Sequence, residues 1–218
     1  MERKDFLKGL GLIGLGTVAL PILNACSNDD ETATNTGLTV GDCTTTPSET
    51  AGPFPTHSPS SLITNDIRSD RTGVNLTVNI SVLNAKTNHA ALSGAIVDIW
   101  HCDKDGNYSE YGGSGMQAVN YTNVHFLRGR QTTDANGLVT FTTIFPGWYN
   151  GRATHIHVHI YNAVGNSILV TQIAFPESAD SAVAKVNASS ENGYTKGMSG
   201  YTYNANDNVF SDSAVCEL

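Results

Sequence analysis

The sequence predicts an all-β fold: an antiparallel β-sandwich with long loops over one end and one short helix. Several short segments alternate apolar and polar residues, which indicates strands that bury one face. Turn signals separate these segments, and short strands with frequent turns are typical of sandwiches. Roughly 175 residues follow the N-terminal leader and a polar tether, enough for one domain with a sizeable core.

Five strands are predicted from these patterns. Residues 76–82 carry an aliphatic side chain at every second position, and residues 95–101 are rich in β-branched side chains. A third strand, 138–145, follows an Asp-Ala-Asn-Gly turn, which is a strong hairpin signal. The remaining two strands are predicted at 155–160 and 168–175.

Only residues 178–187 have a helical pattern, and Ser178 is placed to cap that helix. Residues 110–122 and 192–208 are rich in glycine and tyrosine and lack strand alternation. We expect both stretches to form long loops over one end of the sandwich. Loops of this length commonly carry function.

The first 25 residues are typical of a targeting segment. Basic residues precede an apolar run, residues 9–23, which is short for a transmembrane helix. The run leads into Leu-Asn-Ala-Cys at 23–26, which resembles the bacterial lipoprotein signal, so Cys26 would be lipidated and become the mature N-terminus. A short membrane anchor and an ordinary cleaved signal are the alternatives.

The leader predicts an exported protein held at a membrane face by its lipid. Residues 3–8, Arg-Lys-Asp-Phe-Leu-Lys, also resemble the twin-arginine export signal with lysine in place of one arginine, so the export route stays open. Residues 26–42 are polar and predict a flexible tether. The folded domain is expected to span residues 43–218.

The charge balance excludes some partners. The chain has a net charge of −8, and removing the basic leader makes it more acidic. This argues against nucleic acid as a partner and against an electrostatic grip on anionic lipid. Attachment to a membrane would therefore depend on the N-terminal lipid.

Three cysteines remain once Cys26 is set aside, so at least one of them is unpaired in a monomer. Exported proteins can keep disulfides. Cys43 and Cys216 bracket the domain, and a bond between them would tie down both ends. Cys102 competes for either partner.

Three histidines occupy alternate positions of one predicted strand: His155, His157 and His159. Period-two geometry places their imidazoles on one face and the intervening aliphatic residues on the other. A His-x-His pair can direct two neutral nitrogens toward one metal ion. A solvated polar face is the plainer explanation, and the spacing alone does not identify a metal.

Two tyrosines sharpen the metal hypothesis. Tyr149 ends a Pro-Gly-Trp-Tyr turn just before the histidine strand, and Tyr108 follows an Asp-Gly-Asn turn after another predicted strand. Taken alone, each tyrosine is more often a packed or rim residue. Phenolate is a hard anionic donor that favours ferric iron, and its deprotonation at pH 7 costs about 4 kcal/mol, which a trivalent cation can offset.

At these residues the chain resembles the intradiol ring-cleavage dioxygenases, the family of catechol and protocatechuate dioxygenases. The resemblance spans residues 46–175, and its motifs are specific in combination. The matching segments are Thr-Pro-Ser-Glu-Thr-Ala-Gly-Pro-Phe at 46–54, Asp-Ile-Trp at 98–100 with Gly-Asn-Tyr at 106–108, Thr-Asp at 133–134 with Gly137, Pro-Gly-Trp-Tyr at 146–149 and Arg-Ala-Thr-His-Ile-His at 152–157. An exported subgroup with the Trp-His-Cys-Asp run at 100–103 is most similar.

The resemblance implies a ferric iron, Fe(3+), and assigns its site. The implied ligands are Tyr108, Tyr149, His155 and His157, and the residues beside the substrate are Arg152 and Gln172. The implied reaction cleaves a catechol-type ring between its two hydroxyl-bearing carbons and inserts both atoms of O2, giving a muconate-type diacid. The implied partners are a small aromatic diol and O2.

The resemblance also implies roles within the reaction. Tyr108 would leave the metal and act as a base toward the substrate, and Arg152 would stabilise negative charge that develops on the ring. No nicotinamide or flavin is expected, because the Rossmann glycine pattern is absent from the sequence.

Some features depart from the family pattern. The link from Tyr149 to His155 is shorter than in the cytoplasmic enzymes, and no counterpart of a helical dimerisation domain is evident, so substrate identity and oligomeric state stay open. His159 lies outside the motif and is expected in a supporting or surface role. The alternatives are a lipid-anchored β-sandwich binding or adhesion module and a zinc or copper hydrolase built on the histidines.

Replacing the predicted lipidation residue tests the location. We expect Cys26→Ala to move the protein from the membrane fraction into the soluble fraction, because the mutant has no thiol to acylate. Fractionation followed by mass spectrometry of the mature N-terminus measures both effects. Retention of the variant in membranes as firmly as the wild type would rule out the lipoprotein interpretation.

Overall fold

The computed structural model describes residues 45–189 and 192–210 of the 218-residue chain. The predicted signal segment and tether, residues 1–25 and 26–42, lie outside these ranges, as do Cys26, Cys43 and Cys216. Within the described ranges, no helix is long and apolar enough to span a bilayer.

Eight antiparallel strands account for most of the regular structure in the described ranges. Four of them form one sheet in the order β5-β4-β7-β8, and two further pairs, β1-β6 and β2-β3, complete the β-structure. The predicted antiparallel β-fold with little helix is confirmed. The strands are β1 (Asn75–Ser81), β2 (Leu83–Asn84), β3 (Ala90–Ala91), β4 (Ile96–Trp100), β5 (Arg128–Thr132), β6 (Leu138–Ile144), β7 (His155–Tyr161) and β8 (Ser167–Ala174).

The core lies between the four-stranded sheet and the β1-β6 pair. One face of β4 and β7 contributes aliphatic side chains such as Ile99 and Ile156, which are fully buried. From the other layer, Val78 and Phe141 belong to the same cluster of buried residues. Burying each such side chain contributes roughly 1.5–3 kcal/mol, so this layer contact supplies much of the driving force for folding.

The opposite face of the four-stranded sheet is polar, and it is buried at the end that carries Trp100, Arg128 and His157. Its side chains alternate with the aliphatic ones along each strand, as period-two geometry requires. Loops that leave the sheet ends cover this part of the face, whereas Arg130 and His159 farther along it are partly exposed. The buried residues of this polar face are Asp98, Trp100, Arg128, His155, His157 and Gln172.

The sequence did not predict β5, and its composition explains why. Arg128 and Arg130 extend to the polar face, while Gly129 and Gln131 alternate with them and face the core layer. A Cβ at Gly129 would collide with the side chain of Ile67, so only glycine allows this close approach. The strand therefore has no aliphatic alternation for a sequence pattern to detect.

The predicted helix at 178–187 is shorter than expected, which corrects the sequence assignment. Only a single π-helical turn forms, Val183–Asn187, and it buries Val183 and Val186 against the core. Ser178 does not cap it: the Ser178 carbonyl closes a preceding turn, and Ser181 Oγ accepts a hydrogen bond from the Ala184 N–H at 3.2 Å. Residues 110–122 and 192–208 are irregular loops, as predicted.

Two turns after β4 and β6 pack backbone against backbone. The Gly147 N–H donates to the Asp103 carbonyl at 3.2 Å, and a Cβ at Gly147 would lie 2.5 Å from the Lys104 carbonyl oxygen. Gly106 has φ +89°, and a Cβ there would collide with the Trp148 carbonyl oxygen. These glycines permit the approach that brings residues 108 and 149 together.

Gly106→Ala tests this close approach. We expect a loss of roughly 3–5 kcal/mol in the free energy of unfolding, because left-handed strain of about 1–2 kcal/mol is added to a backbone clash. Gly165→Ala is the matched control, since Gly165 has φ +86° and a Cβ added there would have no neighbour within 4 Å. Urea denaturation of both variants measures the difference, and equal losses would contradict the packing argument.

Candidate metal centre

The candidate centre lies at the end of the four-stranded sheet where β4 ends and β7 begins. His155 and His157 face it from the polar side of β7. His155 Nδ1 lies 2.7 Å from the Ala153 carbonyl, so this nitrogen carries the proton and donates it, leaving the Nε2 lone pair toward the centre. The His157 ring stacks on Trp100 with centroids 4.8 Å apart and planes within 2°.

The two predicted tyrosines reach the same point from the loops. Tyr108 Oη lies 3.3 Å from His155 Nε2, and that nitrogen lies 3.2 Å from His157 Nε2. The Tyr149 ring packs edge-on to Tyr108 and to His155, with both centroid distances 5.8 Å. The structure therefore brings together all four residues that the sequence analysis assigned as metal ligands.

The donor set fits a metal ion. Nitrogen and oxygen donors 3.2–3.3 Å apart have the spacing of adjacent ligands that each lie about 2.1 Å from one cation. Burial lowers the pKa of His155 to about 3 and that of His157 well below its usual value, with Arg152 contributing to both shifts. Both imidazoles are therefore neutral at pH 7 and have lone pairs available.

The two phenol oxygens point to a hard, highly charged cation. Burial raises the pKa of Tyr108 and of Tyr149, so both hydroxyls keep their protons unless a strong positive charge offsets the cost. In the described part of the chain, no three residues among His, Cys, Asp and Glu gather into a metal-binding group. Tyr108 and Tyr149 add two phenol oxygens to the two histidines of the candidate set, and phenolate is a hard anionic donor that suits a highly charged cation.

The segment at residues 50–57 covers the polar face and shapes the centre. Phe54 stacks on the Tyr108 ring at 4.7 Å, and its carbonyl accepts a hydrogen bond from Arg128 Nη1 at 2.9 Å. Gly52, with φ +67°, lies so close to His157 that a Cβ would be 3.1 Å from the ring. These contacts give a physical reason for the glycine and the phenylalanine of the 46–54 motif.

The backbone of Tyr108 is held by a side-chain amide from its own loop. Gln117 Oε1 accepts a hydrogen bond from the Tyr108 N–H at 2.6 Å, and Gln117 Nε2 donates to the Tyr108 carbonyl at 2.8 Å. Arg128 fixes the next residue by donating to both the hydroxyl and the carbonyl of Ser109. The sequence analysis did not identify Gln117 or Arg128, because neither residue lies in a recognisable sequence motif.

Arg152 and Gln172 lie beside the centre, as predicted. Arg152 Nη1 is 3.4 Å from Tyr149 Oη and 3.5 Å from His155 Nε2, and Arg152 Nη2 donates to Gln172 Oε1 at 2.5 Å. The structure adds Asp207, a buried carboxylate that accepts a hydrogen bond from Arg152 Nε at 2.9 Å. Sequence analysis placed residue 207 in a functional loop but gave no signal for this contact.

Two other predicted residues lie outside the donor set. His159 bonds through Nε2 to Ser167 Oγ at 2.8 Å and through Nδ1 to Tyr161 Oη at 2.9 Å, which agrees with a supporting or surface role. Cys102 is buried in the cluster that contains Tyr108, and burial raises its thiol pKa. Its proposed partners lie outside the described residues, so the disulfide pairing stays a prediction.

Comparisons with known proteins agree with this geometry. A family model described as "Dioxygenase" matches residues 50–199. The chain is also 28% identical over 142 residues to a chlorocatechol 1,2-dioxygenase from Rhodococcus opacus. That match covers 56% of this chain, which spans only about half, 51%, of the relative's length.

Solved structures share both the fold and the sequence pattern. An intradiol ring-cleavage dioxygenase from Tetranychus urticae superposes with a TM-score of 0.68 and 32% identity, covering 79% of this chain and 85% of that one. The dioxygenase domain of a dioxygenase and carbohydrate-binding fusion protein from Streptomyces sp. SirexAA-E gives a TM-score of 0.54 and 27% identity, covering 78% and 85%. Fold, motif and donor set therefore agree, and this chain belongs to the intradiol ring-cleavage dioxygenase family.

Proposed function

We propose that this chain is a ferric-iron dioxygenase that cleaves catechol-type rings between the two hydroxyl-bearing carbons and inserts both atoms of O2. The products would be muconate-type diacids. The observation that carries the proposal is the convergence of Tyr108 Oη, His155 Nε2 and His157 Nε2 at spacings of 3.3 and 3.2 Å, with the Tyr149 ring packed edge-on against Tyr108 and His155.

Tyr108, Tyr149, His155 and His157 would hold the iron. When bound, ferric iron would draw electron density from a chelated catechol and make a ring carbon reactive toward O2. The neutral imidazoles supply lone pairs without a proton to displace. The phenol oxygens become anionic ligands only in the presence of the cation, because burial otherwise keeps them protonated.

The two tyrosines are held differently, which supports different roles. Tyr149 Oη has Arg152 Nη1 as a donor 3.4 Å away, and this charge-assisted contact would stabilise the phenolate form of Tyr149. Tyr108 has a fixed backbone, and its buried ring packs against Phe54 and Tyr149. In the proposed reaction its Oη, as a phenolate, would accept a proton from a substrate hydroxyl.

Arg152 supplies the positive charge beside the reacting ring. Its Nη1 group faces the donor atoms of Tyr149 and His155 across a region that the loops shield from water. A fixed charge in such a site stabilises negative charge that develops in the transition state more than it stabilises the ground state. Gln172 restrains the same guanidinium through Nη2.

We also propose that the protein is an exported lipoprotein whose domain, residues 43–218, is tethered through residues 26–42 to lipid on Cys26. The support is the basic and apolar leader that ends in the lipoprotein-like segment at 23–26.

The reaction product tests the proposed function. With catechol and labelled O2, the iron-loaded protein should form a muconate that contains both labelled oxygen atoms, detected by mass spectrometry. Metal analysis of the same sample should find iron at one ion per chain. A colourless protein that holds zinc would overturn the metal assignment, and a semialdehyde product would overturn the position of ring cleavage.

The two tyrosine variants should differ in spectrum and in activity. The wild type should be red, because phenolate-to-iron charge transfer absorbs visible light. Tyr149→Phe should lose much of this colour and retain iron weakly, because a permanent ligand is removed. Tyr108→Phe should keep iron and part of the colour while turnover falls on the order of 10²–10⁴-fold, as expected for loss of a general base. Identical spectra and rates in the two variants would contradict the separate roles.

A further inference from the structure

The orientation of the Arg152 guanidinium is fixed by acceptors at two of its nitrogens, Nε and Nη2. Nε donates to Asp207 Oδ2 at 2.9 Å and to Oδ1 at 3.1 Å, and Nη2 donates to Gln172 Oε1 at 2.5 Å. Nη1 is therefore the group left to face the metal centre, where Tyr149 Oη and His155 Nε2 lie 3.4 and 3.5 Å away. Rotation of the guanidinium would exchange these roles and turn a different edge toward the substrate.

The Asp207 carboxylate is itself immobilised. It is only 4% exposed, and its oxygens accept backbone hydrogen bonds from the Ala153 N–H at 2.8 Å and from the Val209 N–H at 3.0 Å. One of these donors precedes β7, and the other belongs to the carboxylate's own loop. The carboxylate is thus held both by the segment that leads into β7 and by the backbone two residues after Asp207.

Gln172 alone cannot set this orientation. Its Nε2 donates to the Thr50 carbonyl at 2.8 Å, which directs Oε1 toward Arg152, but that oxygen is a neutral acceptor on one edge. Phe210 packs against the guanidinium 5.1 Å from its ring centre and limits movement on another side. Asp207 adds the charge-assisted bond, which is shorter and stronger than a neutral one.

We propose that Asp207 is a positioning residue for ring cleavage: it fixes the guanidinium of Arg152 so that Nη1 faces the reacting ring. This inference rests on the proposed function. The side-chain hydrogen bonds of Asp207 go to Arg152 and to the backbone of Ala153 and Val209, and not to the four donor side chains. Asp207 therefore acts on the centre through Arg152. The loop at residues 192–208 therefore contributes a positioning residue to the proposed active site.

Asp207→Asn removes the charge while it keeps the size of the side chain. We expect kcat for catechol to fall about 10–100-fold, because misplacement of a transition-state charge by about 1 Å has an effect of this order. KM should change less than about threefold, because the diol would bind to the iron and the four residues that would hold the iron are intact. Iron content should stay within about twofold of the wild type.

Glu177→Gln is the matched control. Glu177 anchors the same loop by accepting hydrogen bonds from Tyr201 Oη and from the Asn204 N–H, both at 2.8 Å, and it makes no contact with Arg152. We expect its kcat to stay within about threefold of the wild type, because loop anchoring without orientation of Arg152 has little effect on the chemical step. Titration with 4-nitrocatechol, followed by its visible absorption, should give dissociation constants within about threefold for both variants.

Chemical rescue supplies a second test. Arg152→Ala should regain part of its activity when millimolar guanidinium is added, because Asp207 and Gln172 still form the acceptor site. In the double variant with Asp207→Asn, the guanidinium concentration for half-maximal rescue should rise at least about tenfold, since a charge-assisted bond is lost. In the double variant with Glu177→Gln, it should be unchanged.

Several outcomes would overturn the positioning role. These are wild-type kcat in Asp207→Asn, equal losses in Asp207→Asn and Glu177→Gln, loss of iron from Asp207→Asn, or guanidinium rescue that is independent of Asp207. A colourless wild-type protein without ring cleavage would instead overturn the proposed function itself. If the wild-type protein is red and active and one of the first four outcomes is found, the proposed function holds and only the inference about Asp207 is rejected.

Discussion

Burial of the polar face of the four-stranded sheet is the constraint on which the candidate site depends. The aliphatic face of the same sheet packs on the β1-β6 layer, and the polar residues of the opposite face are buried as well at the end next to the metal centre. Buried polar groups destabilise a protein unless they are hydrogen-bonded or bind a ligand. Most of those on this face have protein partners, and His155 and His157 direct their Nε2 atoms toward the metal centre.

Two buried arginines organise the loops around this face. Arg128 binds the segment that carries Phe54 and the loop that follows Tyr108, and Arg152 joins β7 to Asp207 in the C-terminal loop. A buried guanidinium needs several acceptors, and here main-chain carbonyls and carboxylates from distant segments supply them. The conformation of these loops, which have no aliphatic pattern, is therefore fixed by hydrogen bonds to the two arginines and not by hydrophobic contacts.

The same burial sets the protonation states that metal binding requires. It lowers the pKa of His155 to about 3 and raises that of Tyr108, so these two donor side chains are uncharged before a cation arrives. Neutral imidazoles can bind a cation directly, whereas the phenols become ligands only if the cation is charged strongly enough to displace their protons.

The sequence by itself determined the antiparallel β-fold, the histidine face of β7 and the set of candidate ligands. These features could be predicted because period-two spacing and turn signals depend on only a few neighbouring residues. The motif around Tyr149 and His155 likewise lies in one short segment, residues 146–157. Tertiary structure alone decided that β5 is a strand, since its core-side glycine is explained only by contact with Ile67. It alone paired Arg152 with Asp207, 55 positions away in the chain. A buried ion pair leaves no periodic pattern in the sequence, because its partners are selected by where the backbone brings them in space.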